Sequence, residues 1–401
     1  MTVCVILAAG EGKRMRPLTG SRPKVMLPLA GKPILEHLLC AAQDAGISEF
    51  ILVVGYGESS IRNYFGDGKA LGISIKYVTQ KRQLGTGDAL MTVASHVHVP
   101  FLLLNGDMVL HSADIKTMLI TPAPAMGVFT SSHPQDYGVV TLSDGRITGL
   151  EEKSLKPKSS LINAGMYLFE PHIFEHLKTI TSSPRGELEL TDALMTYIAQ
   201  GSLQGVILQF WADMGSPWDL LMVHEEMMQD VIPKQNGIIE EGVFIKGNAQ
   251  VGQGTVIKSG TYIEGPCIIG AGCTIGPHAY IRPGTAIGNN CHIGHSSEIK
   301  NSIIMDKTNV PHFSYVGDSI IGSGCNLGAG TKIANLRHDK ATIIIGGVDT
   351  RRRKFGAVVG DDVLFGINCS INVGAIIGNH SRIGPHALVE GILKDNTVIR
   401  R

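Results

Sequence analysis

The sequence predicts an α/β unit built on a mainly parallel sheet, followed by a parallel β-helix. Up to about residue 228, apolar strand-like runs alternate with amphipathic segments, and after about residue 240 aliphatic residues recur every six positions. Alternating strands and helices are typical of parallel sheets with right-handed crossovers. We therefore expect a first domain at 1–228, a linker at 229–240 and a second domain at 241–401.

The first half contains short buried runs separated by helical patterns. Ligands of open parallel sheets bind beyond the carboxyl ends of the strands, so functional residues should follow those strands. The expected strands are Val3–Leu7, Phe50–Val54, Ile73–Val78 and Phe101–Leu104, and the expected helices are Ile34–Ala45, Glu58–Phe65 and Gly87–Ala94.

The second half has a period of six. Aliphatic residues from Ile245 to Ile299 follow one another at this spacing without a slip, and glycine often comes next. A period of six fits neither an α-helix nor an amphipathic strand. It fits a chain that turns a corner every six residues, which is the hexapeptide pattern of a parallel β-helix. The pattern slips between Ile299 and Ile321 and breaks again from about Asn335 to Ala357, where loops and a site are expected.

Composition and charge argue against several classes of protein. Lysine plus arginine and aspartate plus glutamate number 35 each, so the neutral chain has no electrostatic reason to bind nucleic acid or an anionic membrane. No apolar run approaches the roughly 18 residues of a membrane span, and the start of the chain lacks the basic residues of a signal peptide. The seven cysteines include no zinc-type pairs. We expect a cytoplasmic protein.

A glycine-rich loop directly follows the first strand. Glycines let backbone N–H groups approach phosphate oxygens, and Arg14 and Lys24 add positive charge. A lone Gly-x-Gly is usually only a turn, but its place after a strand favours phosphate binding. The loop reads Leu7-Ala8-Ala9-Gly10-Glu11-Gly12-Lys13-Arg14 and is trailed by Pro23-Lys24.

These motifs resemble the signature of the sugar-1-phosphate nucleotidylyltransferases, whose first domain is a Rossmann-like sheet. The resemblance covers essentially all of residues 1–228. Further matching motifs follow in order: Gln80 with Leu84-Gly85-Thr86, Leu104-Asn105-Gly106-Asp107, Tyr137-Gly138, Glu151-Glu152-Lys153, Asn163-Ala164-Gly165 and Trp211-Ala212-Asp213-Met214-Gly215.

The resemblance implies a reaction in which a sugar phosphate oxygen attacks the α-phosphorus of a nucleotide and pyrophosphate leaves. Because two polyanions must meet, positioning and charge neutralisation dominate such catalysis. By resemblance, Asp107 and Asp213 hold Mg²⁺, Arg14 neutralises the pyrophosphate, and Lys24 bridges the phosphates in the transition state.

The resemblance also implies binding roles. Gln80 with Gly85 would read the base edge, but uracil and thymine share that edge, so UTP and dTTP both stay open. Which of Glu151 and Glu152 faces the sugar also stays open. The implied nucleotide contacts are Leu7, Ala8, Gly10, Gly12, Gln80, Gly85 and Thr86, and the implied sugar-phosphate contacts are Gly138, Glu151, Glu152, Lys153 and Asn163.

The second half resembles the left-handed β-helix acyltransferases, and in detail the acetyltransferase half of the bifunctional N-acetylglucosamine-1-phosphate uridylyltransferases of archaeal type. Leu336 replaces the usual aromatic residue, and the Arg351–Lys354 basic run has no counterpart in the bacterial pattern. The matching motifs are Ile281-Arg282-Pro283-Gly284, Glu298-Ile299-Lys300, Val310-Pro311-His312-Phe313-Ser314-Tyr315, Gly324-Cys325-Asn326-Leu327-Gly328-Ala329 and Ala334-Asn335-Leu336-Arg337-His338-Asp339-Lys340.

Acetyl transfer needs a base for the ammonium nucleophile and a donor for the thioester oxyanion. His312 is the expected base, because an unperturbed imidazole titrates near neutral pH, and the backbone N–H of Ala329 is the implied oxyanion donor. The Arg351–Lys354 run and Arg400-Arg401 either meet the phosphates of coenzyme A or form solvated basic segments. By resemblance, Arg282, Lys300 and Lys340 grip the sugar phosphate, and Tyr315, Asn326 and Asn335 orient the sugar.

Taken together, the resemblances imply a bifunctional homotrimer that makes UDP-N-acetylglucosamine from glucosamine 1-phosphate, acetyl-CoA and UTP. Galactosamine stays open as the sugar. One alternative is a single-activity GDP-mannose or dTDP-glucose type enzyme with a structural β-helix, against which the set of His312, Asn335 and Lys340 argues. The other is a non-catalytic regulatory subunit, against which the presence of Arg14 and Lys24 argues.

Overall fold

The computed structural model describes residues 2–183 and 186–400 and divides into two compact units. Helix 217–227 belongs to the second unit, where the Nε2 atom of His224 lies 3.1 Å from the carbonyl oxygen of Gly284. No helix in the described ranges is both long and apolar enough to cross a membrane. The first unit comprises Met1–Glu11, Arg22–Met26 and Ile34–Asp213, and the second comprises Gly12–Ser21, Leu27–Pro33 and Met214–Arg401.

Helices and strands alternate up to residue 213, as the sequence predicts. The strands are β1 (Val3–Ala8), β2 (Pro28–Leu29), β3 (Lys32–Pro33), β4 (Glu49–Val54), β5 (Ser74–Thr79), β6 (Phe101–Asn105), β7 (Met108–Leu110), β8 (Ala125–Thr130), β9 (Gly138–Ser143), β10 (Arg146–Glu152), β11 (Leu161–Phe169), β12 (Gln204–Ile207) and β13 (Trp211–Asp213). The α-helices are α1 (Ile34–Asp44), α2 (Glu58–Phe65), α3 (Thr86–Met91), α4 (Ser112–Ile120), α5 (Ile173–Leu177), α6 (Leu190–Ala199) and α7 (Pro217–Met227). Single-turn 3-10 helices lie at Lys13–Met15, Lys24–Met26, Lys69–Leu71, Pro134–Asp136 and Met228–Asp230.

The first unit is built on a mixed sheet of strand order β5-β4-β1-β6-β11-β8-β12-β10-β9. Strands β5, β4, β1 and β6 run parallel, as predicted, whereas β11 pairs antiparallel with β6 and β8. Apolar side chains cover both faces, because β1 places Ile6 in one core cluster and Val5 in the other. The carboxyl ends of the parallel strands therefore meet at one edge of a rigid sheet.

The second unit is a β-helix, and the predicted fold, a Rossmann-like α/β domain followed by a left-handed β-helix, is confirmed. Its strands are β14 (Lys234–Gln235), β15 (Ile238–Ile239), β16 (Phe244–Lys246), β17 (Ala249–Val251), β18 (Val256–Ile257), β19 (Tyr262–Glu264), β20 (Cys267–Ile269), β21 (Thr274–Ile275), β22 (Tyr280–Ile281), β23 (Thr285–Ile287), β24 (His292–His295), β25 (Glu298–Lys300), β26 (Ile303–Ile304), β27 (Asn309–His312), β28 (Tyr315–Gly317), β29 (Ile320–Ile321), β30 (Lys332–Ile333), β31 (Ile344–Ile345), β32 (Val348–Asp349), β33 (Ala357–Val359), β34 (Leu364–Phe365), β35 (Ser370–Ile371), β36 (Ala375–Ile377), β37 (Arg382–Ile383), β38 (Leu388–Val389), β39 (Ile392–Leu393) and β40 (Val398–Ile399).

The hexapeptide aliphatics fill the axis of this β-helix. Ile257 pairs in parallel with Ile275, which pairs with Ile293, so one coil is three hexapeptides long. All three side chains are fully buried in one continuous core that also contains Cys267 and Cys273. These cysteines are fillers beside the axis, because their side chains are buried among the aliphatic residues. Burial raises the pKa of the Cys267 thiol to about 12.

The slip in the repeat is two shortened corners rather than a loss of the solenoid. The buried series continues from Ile299 through Ile304, Val310, Val316 and Ile321, with steps of five residues where the six-residue pattern fails. Ile299 consequently pairs with Val316 one position early. The two short corners contain Asn301 and Asp318, both with positive φ, a conformation that Asn and Asp tolerate better than most residues.

The later break is a hairpin that leaves the solenoid. Strands β31 and β32 pair antiparallel around Gly346 and Gly347, which both have positive φ and so suit a tight turn. The coil resumes afterwards, because Ile321 on β29 pairs directly with Val359 on β33. The hairpin is thus an insertion between adjacent coils.

Candidate active sites

The carboxyl ends of β1, β4, β5 and β6 lie side by side and position the predicted nucleotide residues. The N–H of Tyr56 donates to Ala9 at 3.0 Å, and the N–H of Gly106 donates to Leu7 at 2.9 Å. A Cβ at position 106 would lie 2.7 Å from that same carbonyl oxygen of Leu7, so glycine is needed there. Gly10 is exposed, with open space where a side chain would be.

The rest of the glycine-rich loop belongs to the second compact unit. Gly12 has φ 75°, and its carbonyl oxygen accepts a hydrogen bond from the Thr19 hydroxyl at 3.1 Å. Arg14 follows in a single-turn helix that buries Met15 and leaves Arg14 exposed. The same segment is held by Asn379 of the β-helix, whose Nδ2 donates to the Pro17 carbonyl at 3.1 Å. The sequence motif did not reveal this anchor, because Asn379 lies far along the chain.

Strand pairing brings the two predicted metal ligands together. Strand β13 pairs with β7 so that Asp213 stands opposite Met108, and Asp107 immediately precedes Met108. The Nζ of Lys24 lies 2.7 Å from Asp107 Oδ2 and 3.1 Å from Asp213 Oδ1. The structure therefore groups one predicted catalytic lysine with both predicted metal carboxylates.

The environment of Lys24 keeps its ammonium charged. Burial alone would lower the pKa of Lys24, but the carboxylates of Asp107 and Asp213 outweigh that effect and raise it above its usual value. The lysine side chain is buried, whereas the side chain of Asp107 stays 40% exposed. An ion pair with one accessible carboxylate can be opened by an anionic substrate or a cation.

The carboxylate pair fits a magnesium ion. Mg²⁺ is usually bound through one or two carboxylates, with waters and substrate phosphates completing the shell. Asp107 and Asp213 supply two such oxygen ligands on adjacent strand ends. Among the described residues, no group of three or more His, Cys, Asp or Glu forms a metal cage, so the metal here would depend on the nucleotide phosphates.

Gln80 and Gly85 lie together beside this edge. Gln80 is buried at the end of β5, and its backbone N–H donates to Val54 at 2.8 Å. Its side-chain Nε2 donates to Gly85 O at 3.2 Å and to Asp88 Oδ2 at 2.7 Å. Thr86 begins α3, and its hydroxyl oxygen accepts the N–H of Leu190. Asp88 was not predicted from the sequence.

The predicted sugar residues converge around Glu152. Strands β9 and β10 pair Gly138 with Glu152, and a Cβ at position 138 would lie 3.0 Å from Glu152 Oε1. Glu151 instead pairs with Val139. Because side chains alternate across a strand, the two glutamates point to opposite faces. Glu152 therefore shares its face with Gly138, while Lys153 follows with positive φ and donates its N–H to Tyr137.

Asn163 is held by an aromatic residue that the sequence reasoning missed. The amide of Asn163 and the hydroxyl of Tyr167 are joined by hydrogen bonds of 2.8 and 2.9 Å. Burial raises the pKa of Tyr167, and the nearby charge of Glu152 adds to the effect. Tyr167 therefore stays a neutral donor, which fixes Asn163 on the face of Glu152. The i, i+4 spacing within β11 gave no signal for this pair.

In the second unit, several predicted sugar-phosphate residues lie on one outer face. Strands β22, β25, β28 and β30 stack in register, so Tyr280, Glu298, Tyr315 and Lys332 form a ladder. Arg282 Nη1 lies 2.8 Å from Glu298 Oε1 beside this ladder. The structure thus brings Arg282 and Tyr315 to the same face, with Glu298 as a partner to which the sequence assigned no role.

Asp318 is the buried centre of this face. The Nζ of Lys300 lies 2.9 Å from Asp318 Oδ2, and Asn335 Nδ2 donates to the same oxygen. Asn335 also donates to the Tyr315 hydroxyl at 3.2 Å. The carboxylate of Asp318 is only 3% exposed, so a charged, hydrogen-bonded pair holds Lys300 in place. Asn301, on the other short corner, donates to Asp318 at 2.7 Å.

His312 and Ala329 occupy the same corner on adjacent coils. The N–H of Gly330 donates to the His312 carbonyl at 3.0 Å, as the N–H of Phe313 donates to His295 one coil earlier. The His312 side chain is exposed. Asn326 bridges in parallel to Asn309 on the strand that leads to this corner. Burial lowers the pKa of the neighbouring His292, and the charges of Lys258 and His312 lower it further.

Two arginines of the Arg351–Lys354 run make hydrogen bonds within the protein. The guanidinium of Arg352 is bound by both carboxylate oxygens of Glu225 on α7, and Arg353 Nε donates to the Lys340 carbonyl at 3.0 Å. Lys340 itself is exposed in the insertion with positive φ. Arg352 is therefore a structural residue. Of the other predicted basic segment, Arg400 is exposed and Arg401 lies outside the described residues.

Two family models match different parts of the chain. The chain matches the nucleotidyl transferase family over residues 3–230 and the GMPPB C-terminal domain over residues 263–374. The first match spans more than half of the chain, so this chain belongs to the nucleotidyl transferase family.

Within that family the chain is similar to archaeal bifunctional proteins. It is 46% identical to the bifunctional protein GlmU of Methanococcus maripaludis, over 98% of this chain and 96% of that protein. It is 41% identical to the bifunctional protein GlmU of Methanocaldococcus jannaschii, with the same shares covered. It is 38% identical to the bifunctional sugar-1-phosphate nucleotidylyltransferase/acetyltransferase of Sulfurisphaera tokodaii, over 96% of each. The predicted resemblance is confirmed.

A solved structure supports the fold of the first half. A Bacillus anthracis protein described as a glucose-1-phosphate thymidylyltransferase aligns with a TM-score of 0.54. It covers 59% of this chain and 98% of its own. At 24% identity, this likeness bears on the fold alone.

Proposed function

We propose that this chain makes UDP-N-acetylglucosamine in two steps. Glucosamine 1-phosphate is acetylated from acetyl-CoA, and the product then takes a uridylyl group from UTP and releases pyrophosphate. The observation that carries the proposal is the near full-length similarity to proteins named as bifunctional, at 46% identity. We assign nucleotidyl transfer to residues 1–228 and acetyl transfer to residues 241–401, joined by the linker 229–240.

For nucleotidyl transfer, the residues of the chain neutralise and orient. Lys24 stays charged, since its pKa is raised, and is placed to stabilise negative charge that builds on the α-phosphate. Arg14 would pair with the departing pyrophosphate. Asp107 and Asp213 would hold Mg²⁺, which supplies further charge neutralisation when it is bound. Gln80 would meet the base.

The sugar phosphate in that reaction is held by the face around Glu152. The Glu152 carboxylate would accept hydrogen bonds from sugar hydroxyls, and Asn163 would offer amide groups fixed by Tyr167. Lys153 contributes positive charge next to Glu152. Of the two glutamates, we assign the sugar contact to Glu152, because it shares its face with Gly138.

For acetyl transfer, His312 accepts a proton from the ammonium of glucosamine 1-phosphate. The free amine then forms a bond to the carbonyl carbon of the thioester and the carbon–sulfur bond breaks. The nitrogen gives up a second proton as it becomes the amide, and a proton passes to the departing thiolate, so that coenzyme A leaves as a thiol. The Ala329 N–H would stabilise the oxyanion, and its support is that Ala329 precedes Gly330, which donates to the His312 carbonyl from the next coil. Arg282, Lys300 and Lys340 grip the phosphate, and Tyr315, Asn326 and Asn335 orient the sugar.

The proposal extends to assembly and location, which rest on resemblance. The chain resembles the left-handed β-helix acyltransferases, which are trimers with acyl sites between subunits, so we propose a homotrimer. We also propose a cytoplasmic location and small-molecule substrates only.

Thiol release from acetyl-CoA tests the acetyl step most directly. Purified protein is mixed with acetyl-CoA and glucosamine 1-phosphate, with galactosamine 1-phosphate in parallel, and free thiol is followed. Pyrophosphate release is followed separately with UTP or dTTP and N-acetylglucosamine 1-phosphate. We expect both signals, with glucosamine 1-phosphate as the better amine. Absence of thiol release from protein that still releases pyrophosphate would reduce the β-helix to an assembly module.

A further inference from the structure

Two hydrogen-bond acceptors hold the side-chain amide of Gln80. Its Nε2 lies 2.7 Å from the carboxylate oxygen Oδ2 of Asp88 and 3.2 Å from the carbonyl oxygen of Gly85. Gln80 is buried, and its backbone is fixed by a 2.8 Å hydrogen bond to Val54 at the end of β4. The amide therefore has little freedom except rotation about its last side-chain bond.

Only one rotation of this amide is compatible with its neighbours. A carboxylate and a carbonyl can accept hydrogen bonds but cannot donate them, so they require the NH₂ group of Gln80 on their side. The flipped amide would face both with its own oxygen, which would lose two hydrogen bonds and place like partial charges together. The bond to Asp88 is charge-assisted and is the stronger of the two.

The amide oxygen of Gln80 is consequently presented outward. Among the described residues, the hydrogen bonds of the Gln80 side chain are made by its Nε2 and none by its Oε1. The fully buried side-chain polar atoms without a hydrogen-bond partner among those residues belong to His176, Thr261 and Arg282, so Gln80 Oε1 is not fully buried. The oxygen is thus an accessible acceptor on an otherwise buried residue, next to the predicted nucleotide edge.

A fixed acceptor distinguishes the pyrimidine bases. Uracil and thymine carry an N–H between two carbonyl groups, which an amide oxygen can accept. Cytosine carries an unprotonated nitrogen at the same place, which would face the amide oxygen lone pair to lone pair. A buried polar group left unpaired costs more than a good hydrogen bond contributes, so the wrong base is strongly disfavoured.

We propose that Asp88 is a positioning residue that locks the Gln80 amide and so makes the site select nucleotides with an imide base, UTP or dTTP, over CTP. This inference rests on the proposed nucleotidyl transfer and deepens it. Asp88 need not touch the nucleotide, because it acts through Gln80. The residue lies on α3, eight positions after Gln80, and α3 is tied down by Leu188, whose carbonyl accepts the Gly87 N–H at 2.8 Å.

The test replaces the carboxylate by an amide. Asp88→Asn can either accept from Gln80 or donate to it, so only the longer 3.2 Å hydrogen bond to the Gly85 carbonyl still holds the orientation. The Gln80 amide can then turn around and offer its NH₂ group to cytosine. Equilibrium binding of Mg²⁺-UTP and Mg²⁺-CTP is measured for the wild type, Asp88→Asn and Asp88→Glu, together with pyrophosphate release. Asp144→Asn is the matched control, because Asp144 lies in the exposed turn between β9 and β10 and makes a 3.3 Å contact with the Ser143 hydroxyl.

We expect Asp88→Asn to lower the ratio of UTP affinity to CTP affinity by about tenfold or more, because the variant loses the charge-assisted hydrogen bond that orients the Gln80 amide. Asp88→Glu keeps an acceptor and should restore most of the ratio, and Asp144→Asn should leave it unchanged. An unchanged ratio in folded Asp88→Asn overturns the inference, as does a wild type that binds CTP as well as UTP. Selective binding without turnover with any sugar phosphate would contradict the proposed function while supporting this inference.

Discussion

At the scale of single residues, Lys24 shows how burial and charge decide a role together. A buried ammonium without partners would lose its proton readily. The two carboxylates on adjacent strand ends reverse that tendency and raise the pKa of Lys24. The same contacts hold the side chain of Lys24 at the predicted phosphate site. The same two carboxylates therefore keep the Lys24 ammonium charged and hold it in position.

The raised pKa of Lys24 makes a prediction about stability and pH. Because the pKa is higher in the folded chain than in the unfolded chain, the stabilisation is complete below the unfolded value of about 10.4 and is lost as pH rises through the folded value. We expect the unfolding midpoint of the wild type to fall more steeply above about pH 10.4 than that of Lys24→Met. Parallel curves for the two proteins in alkaline thermal melts would contradict the assigned shift.

The sequence predicted the carboxylates beside Lys24, but not the side chains that hold other predicted site residues in place. Asp107 and Asp213 each follow a strand within a recognisable motif, which placed them at one sheet edge. Asp88 and Tyr167 lie on the same elements as predicted residues, yet their roles depend on where their side chains point. Hydrogen-bond geometry of that kind is set by packing and leaves no sequence spacing to read.

At the scale of elements, the shortened corners of the β-helix bring together the residues around Asp318. Dropping one residue at each of two corners moves Asn301 and Asp318 onto adjacent coils, where they meet. A strict six-residue template reports this region as a break. Allowing single five-residue steps would have recovered Ile304, Val310 and Val316 as core positions. The Arg352–Glu225 pair could not be found this way, because it joins a loop to a distant helix.

Asp318 gives a prediction at this scale. Asp318→Asn keeps the shape but removes the buried charge that holds Lys300. We expect the KM for glucosamine 1-phosphate to rise about tenfold or more, because the phosphate-binding ammonium loses its anchor, while pyrophosphate release is retained. Asp339→Asn, which alters the exposed ion pair with Arg337, is the control. Equal KM values in the two variants would remove Asp318 from the site.

The solenoid core gives a second prediction. Ile293 is fully buried on the axis, so Ile293→Ala should destabilise the fold by about 2–5 kcal/mol through lost burial and a cavity. Ile367 is half exposed at an outer corner, so replacing it by alanine leaves no buried cavity, and it serves as the control. Ile367→Ala should change the free energy of unfolding by about 0.5 kcal/mol or less. Denaturant unfolding of both variants checks the difference. Similar losses of unfolding free energy in the two variants would contradict the claim that the buried aliphatic residues on the axis stabilise the fold.

At the scale of the whole molecule, each of the two compact units contains candidate functional residues. Lys24 and its carboxylates belong to the first compact unit, and His312 with the Asp318 face belongs to the second. Strand–helix alternation and the six-residue period predicted these two architectures without any structure. The interleaving of Gly12–Ser21 with the second unit was not predictable, because it depends on contacts far apart in the chain.

Separate sites predict separable losses. Lys24→Ala should abolish pyrophosphate release and spare thiol release, because its contacts are confined to the first unit. His312→Ala should do the reverse, lowering thiol release by about a hundredfold or more, as expected for a lost general base. Both reactions are followed on the same preparations, with circular dichroism as the check on folding. Joint loss of both activities in a folded variant would count against separate sites.

The most direct test of the central claim is one reaction with one purified protein. Glucosamine 1-phosphate, acetyl-CoA, UTP and Mg²⁺ are incubated together, and UDP-N-acetylglucosamine, free thiol and pyrophosphate are quantified over time. We expect the sugar nucleotide to accumulate only when every substrate is present, with thiol release preceding pyrophosphate release and the two reaching equal amounts. Pyrophosphate release that proceeds from glucosamine 1-phosphate without any thiol release would contradict the two-step order.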